Sequence, residues 1–257
     1  MASLTLTVLG SSPAWPNPGS ACAGYVVAAG GTLVLLDCGP GVVGRLRAAT
    51  DVRALRAAVI SHMHPDHYLD LVTLRHSIKY GKVRDEPLDV YLPPGGTERL
   101  VKLGAALDDT PDFFAGALAL REYDPTAPLE LGDQTISFRR VTHYVPAYAM
   151  RIAAGATLVY SGDSSPCEAL IEHARGADAL LAESAIERPD QDSPEPAKRG
   201  HMAPAEAADV ARRAGVGRLL ITHAPVDAAD PDRARREAVA VFAGRVERVR
   251  DGERYPI

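Results

Sequence analysis

The chain has 257 residues, 46% of them hydrophobic and 24% charged, with a formal net charge of −5. That composition is globular and large enough for a substantial core, read here as one domain over residues 1–257. It offers no apolar run near the ~20 residues that span a bilayer, no Lys/Arg block of the kind that grips nucleic acid, and no basic start to a secretory signal in "MASLTLTVLG".

Strand-like runs open the chain: "LTLTVL" (4–9), "CAGYVVAA" (22–29) and "TLVLLDCG" (32–39), separated by Gly/Pro/Ser turns. A short helix is expected after "DCGPG". The run "RAAVIS" (56–61) reads as a buried strand ending at a histidine cluster, and "YLDLVTLRHSIKY" (68–80) has apolar residues at helical spacing. "LDVYL" then reads as a strand and 96–107 as a helix, while "PDFFAGALAL" fits either. "TISFRRVTH" (135–143), "YAMRIAA" and "TLVYSGD" (157–163) read as successive strands. The last third alternates helix and strand through "PCEALIEHARG", "DALLAES", "PAEAADVARRAG", "GRLLITH" and "PDRARREAVAVFAG". A strand-rich start and an alternating end give an α/β class with mixed sheets. No internal repeat stands out. The polar stretch "AIERPDQDSPEPAKRG" (185–200) is either a surface loop or a flap over a site.

Three of the eight histidines, His62, His64 and His67, fall with Asp66 inside six positions of "SHMHPDHYLD". A solvated loop has no use for that density, and a core would have to satisfy every ring nitrogen. Metal ligation uses all four side chains. His62 and His64, at i and i+2 on extended chain, can reach one ion from the same side, and Asp66 and His67 can face a second. Neutral imidazole and carboxylate suit Zn²⁺, Mn²⁺ or Fe²⁺. Two sites need further ligands, and His143 in "VTH", Asp163 in "VYSGD" and His223 in "LLITH" stand at predicted strand ends, from which rigid positions can converge on one cleft.

In order, HxHxDH followed by His, Asp and His, with an aspartate ahead in "LLDCGPG", resembles the metallo-β-lactamase-fold hydrolases over nearly the whole chain. The resemblance implies a four-layer αββα sandwich of two mixed β-sheets, with a dinuclear metal site at one edge. It implies that His62, His64 and His143 hold one metal and Asp66, His67 and His223 the other, with Asp163 bridging. Two divalent ions are expected, zinc first, with manganese or iron as alternatives, and Asp66 is counted among the catalytic residues. Asp37 would accept a hydrogen bond from a ligand imidazole, or serve as a turn residue before "CGPG". The family's true β-lactamases typically lack either the bridging Asp or the last His of HxHxDH, and this chain has both. Two ions less two carboxylates and a bridging hydroxide leave a weakly positive core, which suits an anionic phosphodiester.

"RGHMAPAEAADVARRAGVGRLLITH" adds His201 near a helix start, and "LLAESA" adds Glu183. Both resemble the ribonuclease Z branch, where such a histidine touches the scissile phosphate or helps protonate the leaving oxygen and the acid partners it. The plain alternatives are a helix-start residue and a loop charge. Metals supply a nucleophile but no general acid, so a Glu183–His201 pair makes chemical sense as a catalytic unit. The chain departs from ribonuclease Z in reading "AESA" and "HMA" for "HEAT" and "HST". Only 19 residues separate His143 from Asp163, where that enzyme carries a long Gly/Pro-rich arm that clamps tRNA. The expected substrate is therefore a small anionic phosphodiester, a cyclic nucleotide first. Processing of tRNA 3′ ends is the second reading and lactone or ester hydrolysis the third. His76 and His173 fit no motif and are read as surface or packing residues. Cys22, Cys38 and Cys167, odd in number and without CxxC, suit buried thiols in a reducing cytoplasm. The oligomeric state stays open, a homodimer included.

Overall fold

The computed structural model describes residues 4–108, 112–226 and 229–257. The first half forms β1 (Thr5–Gly10), β2 (Gly24–Ala29), β3 (Thr32–Leu36), α1 (Val42–Ala49), β4 (Leu55–Val59), α2 (Pro65–Tyr68), α3 (Leu71–Lys79), β5 (Leu88–Leu92), α4 (Gly96–Asp108) and β6 (Leu118–Glu122). The second forms β7 (Leu129–Leu131), β8 (Gln134–Val141), β9 (Ala147–Ala153), β10 (Thr157–Tyr160), α5 (Glu168–Ala174), β11 (Ala179–Glu183), α6 (Pro204–Ala214), β12 (Arg218–Thr222), α7 (Arg233–Val239) and β13 (Arg245–Arg248). A last strand, β14 (Arg254–Pro256), returns to the first sheet.

One sheet runs β14-β1-β2-β3-β4-β5-β6 and the other β13-β12-β11-β10-β9-β8-β7. In the first, pairing is antiparallel from β14 to β3 and parallel from β3 to β6. The second repeats this scheme, antiparallel from β7 to β10 and parallel from β10 to β13. The two sheets thus share a topology that the sequence does not display as a repeat.

Alternation along each strand sorts the side chains into layers. Val34 and Leu36 of β3 meet Leu158 and Tyr160 of β10 between the sheets. Leu35 turns outward to Leu46, Leu71, Leu74 and Leu100 on α1, α3 and α4. Val159 turns outward to Leu170, Ala207, Ala211 and Ala238 on α5, α6 and α7. Both faces of the central strands are buried, so these strands read as continuous apolar runs. The result is the four-layer αββα sandwich expected from the ligand order.

The three strands that the sequence reading missed, β7, β13 and β14, are all short and all lie at sheet edges. There a half-exposed strand needs few apolar residues. Within "PDFFAGALAL" the described part is a turn that buries Phe113 and Phe114 before β6. Among the described residues no helix is long and apolar enough to cross a membrane.

Candidate metal centre

Parallel pairing sends the chain out at one edge after β3 and β4, and at one edge after β10, β11 and β12. A bridge between His62 and Ala147 joins the two edges. His62 follows β4, and His64 immediately precedes α2, whose first residue Pro65 has no N–H to leave unpaired. Asp66 and His67 lie on α2. His143, Asp163 and His223 lie one to three residues past β8, β10 and β12, on the loops rather than at strand ends. Asp37 and His223 take left-handed backbone, φ 56° and 49°, a conformation non-glycine residues seldom hold. Gly162 has φ 57°, and a Cβ there would stand 3.2 Å from the Tyr148 carbonyl oxygen and 3.3 Å from Ser61 Cβ. The glycine of "SGD" lets the loop pass through that gap and present Asp163.

The seven residues form two groups that share Asp163: His62, His64 and His143 on one side, Asp66, His67 and His223 on the other. In the first, His64 Nδ1 stands 3.2 Å from His62 Nε2 and 2.9 Å from His143 Nε2. Asp163 Oδ2 lies 3.7 and 3.9 Å from those two Nε2 atoms. In the second, His67 Nε2 is 3.3 Å from Asp66 Oδ2 and 3.2 Å from Asp163 Oδ1. His223 Nε2 is 3.7 Å from Asp66 Oδ2 and 3.4 Å from Asp163 Oδ2. Ligands ~2.0–2.1 Å from a tetrahedral ion stand ~3.3 Å apart, so each group has the spacing of one divalent ion. His67 Nε2, Asp163 Oδ1 and both ring nitrogens of His223 are buried without an aligned hydrogen-bond partner among the described residues. Buried polar atoms are seldom left so, and an ion in the group of Asp66, His67 and His223 would satisfy most of them.

The surrounding hydrogen bonds aim the rings. Asp37 accepts from His67 Nδ1 (2.7 Å), Tyr160 Oη (2.8 Å), Ser61 Oγ (2.8 Å) and Ser61 N (2.7 Å). That leaves His67 Nε2 facing Asp163. His143 Nδ1 donates to the Gly200 carbonyl at 2.8 Å, which frees its Nε2 in the same way. Burial, then the like charge of His67, holds the His62 imidazole well below its usual pKa. Burial also lowers His64, His143 and His223. At His67 burial disfavours charge, but Asp163 and Asp37 outweigh it and carry the pKa well above normal. Burial works against the Asp163 carboxylate too, yet His223 and His67 hold it well below the usual range. Burial thus favours the neutral, ligand-ready form of His62, His64, His143 and His223, whereas His67 holds a proton between its two carboxylates that a bound ion would displace.

His201 and Glu183 meet beside this cluster. His201 Nδ1 is 3.0 Å from Glu183 Oε1 and 3.9 Å from Asp163 Oδ2. Glu183 is fully buried at the end of β11 and also accepts from Ser164 N (3.1 Å), Met202 N (3.3 Å) and Ala185 N (2.8 Å). One carboxylate thus ties the loop bearing Asp163 to the segment bearing His201. Burial lowers the His201 pKa, but the Glu183 charge and hydrogen bond push it up to about 9.

The 185–200 stretch is anchored at the same place. Asp192 accepts from Tyr144 Oη and from Gly200 N, and the buried Arg199 pairs with Glu206 and donates to the Ser193 carbonyl. His76 is exposed and bonds the Val72 carbonyl, and His173 bonds the Ser137 carbonyl, both outside the cluster. Cys22 and Cys38 are buried and Cys167 half-buried. Sequence reasoning missed Ser61, Tyr144, Tyr160, Asp192 and Gly200. Only Ser61 carried a signal, its place next to the histidine motif.

Residues 32–224 match the family model described as a β-lactamase superfamily domain. The chain belongs to this superfamily. It is a metal-dependent hydrolase of the metallo-β-lactamase fold, in the ribonuclease Z-like branch. It is 34% identical over 253 residues to the probable metallo-hydrolase YhfI of Bacillus subtilis, covering 97% of this chain and 98% of that one. The YhfI crystal structure superposes with a TM-score of 0.87 at 30% identity over 99% of both chains. A ribonuclease Z of Mycolicibacterium paratuberculosis is 32% identical over 95% of each chain. A diphosphatase from the PhnP family, at 20% identity and TM-score 0.73 over 100% of this chain and 98% of its own, shares the superfamily fold.

Proposed function

We propose that this hydrolase is a two-metal phosphodiesterase acting on a small phosphodiester, with a cyclic nucleotide as the leading candidate. The observation that supports this reading is the Glu183–His201 pair beside the ligand cluster, 3.0 Å apart. Two divalent ions, zinc first, held by His62, His64 and His143 and by Asp66, His67 and His223 with Asp163 shared, would supply an activated nucleophile and neutralise charge on the phosphoryl oxygens. The ions do not protonate the leaving oxygen. His201 does so: with its pKa pushed up to about 9 it is an imidazolium at neutral pH. Glu183 holds Nδ1 and leaves Nε2 for the substrate. Asp66, kept ionised by His67 and His223 against its burial, can accept a proton from the attacking water.

The test compares leaving groups. His201→Ala should keep its metal and much of its activity on bis-p-nitrophenyl phosphate, whose phenolate leaves unaided. On a cyclic nucleotide, with its alkoxide leaving group, activity should fall ~10²–10⁴-fold. Equal losses on both substrates would make His201 a phosphate-binding residue, and no loss on either would remove it from the reaction.

Processing of tRNA 3′ ends is the second reading, favoured by the likeness to the mycobacterial ribonuclease Z over 95% of each chain. Against it, β9, a turn and β10 occupy the interval between His143 and Asp163, so no arm is inserted there. Small phosphodiesters should be turned over far faster than precursor tRNA, without the steep salt dependence of many phosphate contacts. Efficient, salt-sensitive cleavage at a tRNA 3′ end would reverse the order of the two readings.

A further inference from the structure

His67 and His143 each donate Nδ1–H to an oxygen that carries no proton, on Asp37 and on the Gly200 carbonyl. His62 is held differently: its Nδ1 lies 3.0 Å from the hydroxyl Oγ of Ser61. A hydroxyl can donate or accept, so by itself it leaves the His62 tautomer open. The tautomer decides ligation, because a ring nitrogen that carries a proton cannot bind an ion.

Asp37 removes the choice. Ser61 Oγ stands 2.8 Å from Asp37 Oδ2, and a carboxylate only accepts. The hydroxyl has one proton and directs it there, so at His62 Nδ1 it can only accept. His62 therefore carries its proton on Nδ1 and keeps the lone pair on Nε2, the atom 3.2 Å from His64 Nδ1 and 3.7 Å from Asp163 Oδ2. The relay is held from several sides. Ser61 N donates to Asp37 Oδ1 at 2.7 Å, and the Ser61 carbonyl accepts from Tyr148 N at 3.2 Å. Tyr160 Oη donates to Asp37 at 2.8 Å, and Cys38 N donates to the His67 carbonyl at 2.7 Å, which ties the Asp37 loop to α2. Asp37, Ser61, His62 and His67 are all fully buried, and the two imidazole rings lie with centroids 4.1 Å apart.

We propose that one buried carboxylate, Asp37, sets the ligand-ready tautomer of a histidine in each metal group, directly at His67 and through the Ser61 hydroxyl at His62. Ser61 is then a positioning residue of the first group and Asp37 of both. This rests on the two-ion reading of the site. Asp37→Asn would turn one accepting oxygen into a donor that faces other donors. The Ser61 hydroxyl is then free to point its proton at His62 Nδ1, which moves the ring proton to Nε2 and blocks ligation there.

The test uses the zinc-loaded full chain at neutral pH. A competing chelator withdraws the ions while the zinc left on the protein is counted. Proton–nitrogen NMR correlation reads which imidazole nitrogen holds a proton, with the His62 signal assigned by its loss in His62→Gln. Ser61→Ala should make one ion ~10–100-fold easier to withdraw and leave the other as in wild type. It should also remove the slowly exchanging proton on His62 Nδ1 while His67 keeps its own. Asp37→Asn should loosen both ions and disturb both rings. Asparagine is among the residues that best tolerate the Asp37 backbone, φ 56°, so this variant should keep its fold. Three results would overturn the relay: Ser61→Ala holding both ions as wild type does, Ser61→Ala loosening both alike, or Asp37→Asn disturbing His67 alone. If wild type holds fewer than two ions, the two-ion reading is what fails, and the His62 proton in Ser61→Ala still decides the relay.

Discussion

At position 200 only a hydrogen atom fits. A Cβ on Gly200 would stand 2.7 Å from His143 Nδ1 and 2.5 Å from Tyr144 Cε2. Gly200→Ala must therefore push the His143 ring away from Asp163 and His64. His143 serves one proposed metal group and not the other, so metal content should fall from about two ions per chain toward one after dialysis, measured by elemental analysis. Asp163→Asn should weaken both ions together, because both groups include it. Two ions retained in Gly200→Ala would contradict the assignment of His143. The proposed ligands were legible because their chemistry is written in residue type and spacing, as in His62, His64, Asp66 and His67. Gly200 and Tyr160 were not. One contributes a carbonyl and a missing Cβ, the other a single hydroxyl to Asp37, and neither leaves a pattern in the chain.

At the scale of elements, α5 is fastened to the second sheet through a titratable group. His173 Nε2 donates to the Ser137 carbonyl on β8 at 3.2 Å, while Arg151 Nη1 donates to the His173 carbonyl at 2.9 Å. Burial, with help from Arg139 and Arg151, lowers the His173 pKa from 6.5 to about 4, despite the bond to Ser137. Between those values the unfolded chain takes up a proton that the folded chain refuses. The contribution to stability is full above pH 6.5 and is lost as pH falls toward 4. His173→Gln keeps a donor for Ser137 but does not titrate. Its denaturation midpoint should thus be lower than wild type at pH 7.5, with the gap narrowing by pH 4.5. A gap that is constant across the window would show that His173 does not ionise on unfolding. The elements themselves were readable wherever both faces of a strand are covered, as in "TLVLL" and "ALLAE". The edge strands β7, β13 and β14 were not, since half-exposed sequences such as "RVER" and "RYP" carry too little apolar signal.

For the whole molecule, each proposed metal group takes its ligands from both halves of the chain. His62, His64, Asp66 and His67 come from the first half, and His143, Asp163 and His223 from the second. Two bound ions would therefore act as a clasp between the sheets. An ion at a thousandfold its Kd stabilises by about 4 kcal/mol, and a domain of this size gains roughly 2–4 °C per kcal/mol. Stripping the metals should lower Tm by about 10 °C or more, and scanning calorimetry of the loaded protein should give one transition. Two transitions, with metal kept through the first, would mean the halves melt independently. The shared topology of the sheets was the least legible feature, because it repeats strand order and layering without repeating residues.

The pairing of β14 with β1 joins Thr5 to Pro256, Leu6 to Tyr255 and Thr7 to Arg254, so the outer edge of β1 is covered by a strand far away in the sequence. Until β14 has been made and has folded back, the outer edge of "TLTVLG" leaves its amides and carbonyls unsatisfied. Such an edge is a template for any neighbouring strand, including the same strand on another nascent chain. That exposure ends when Tyr255 seats against Leu6.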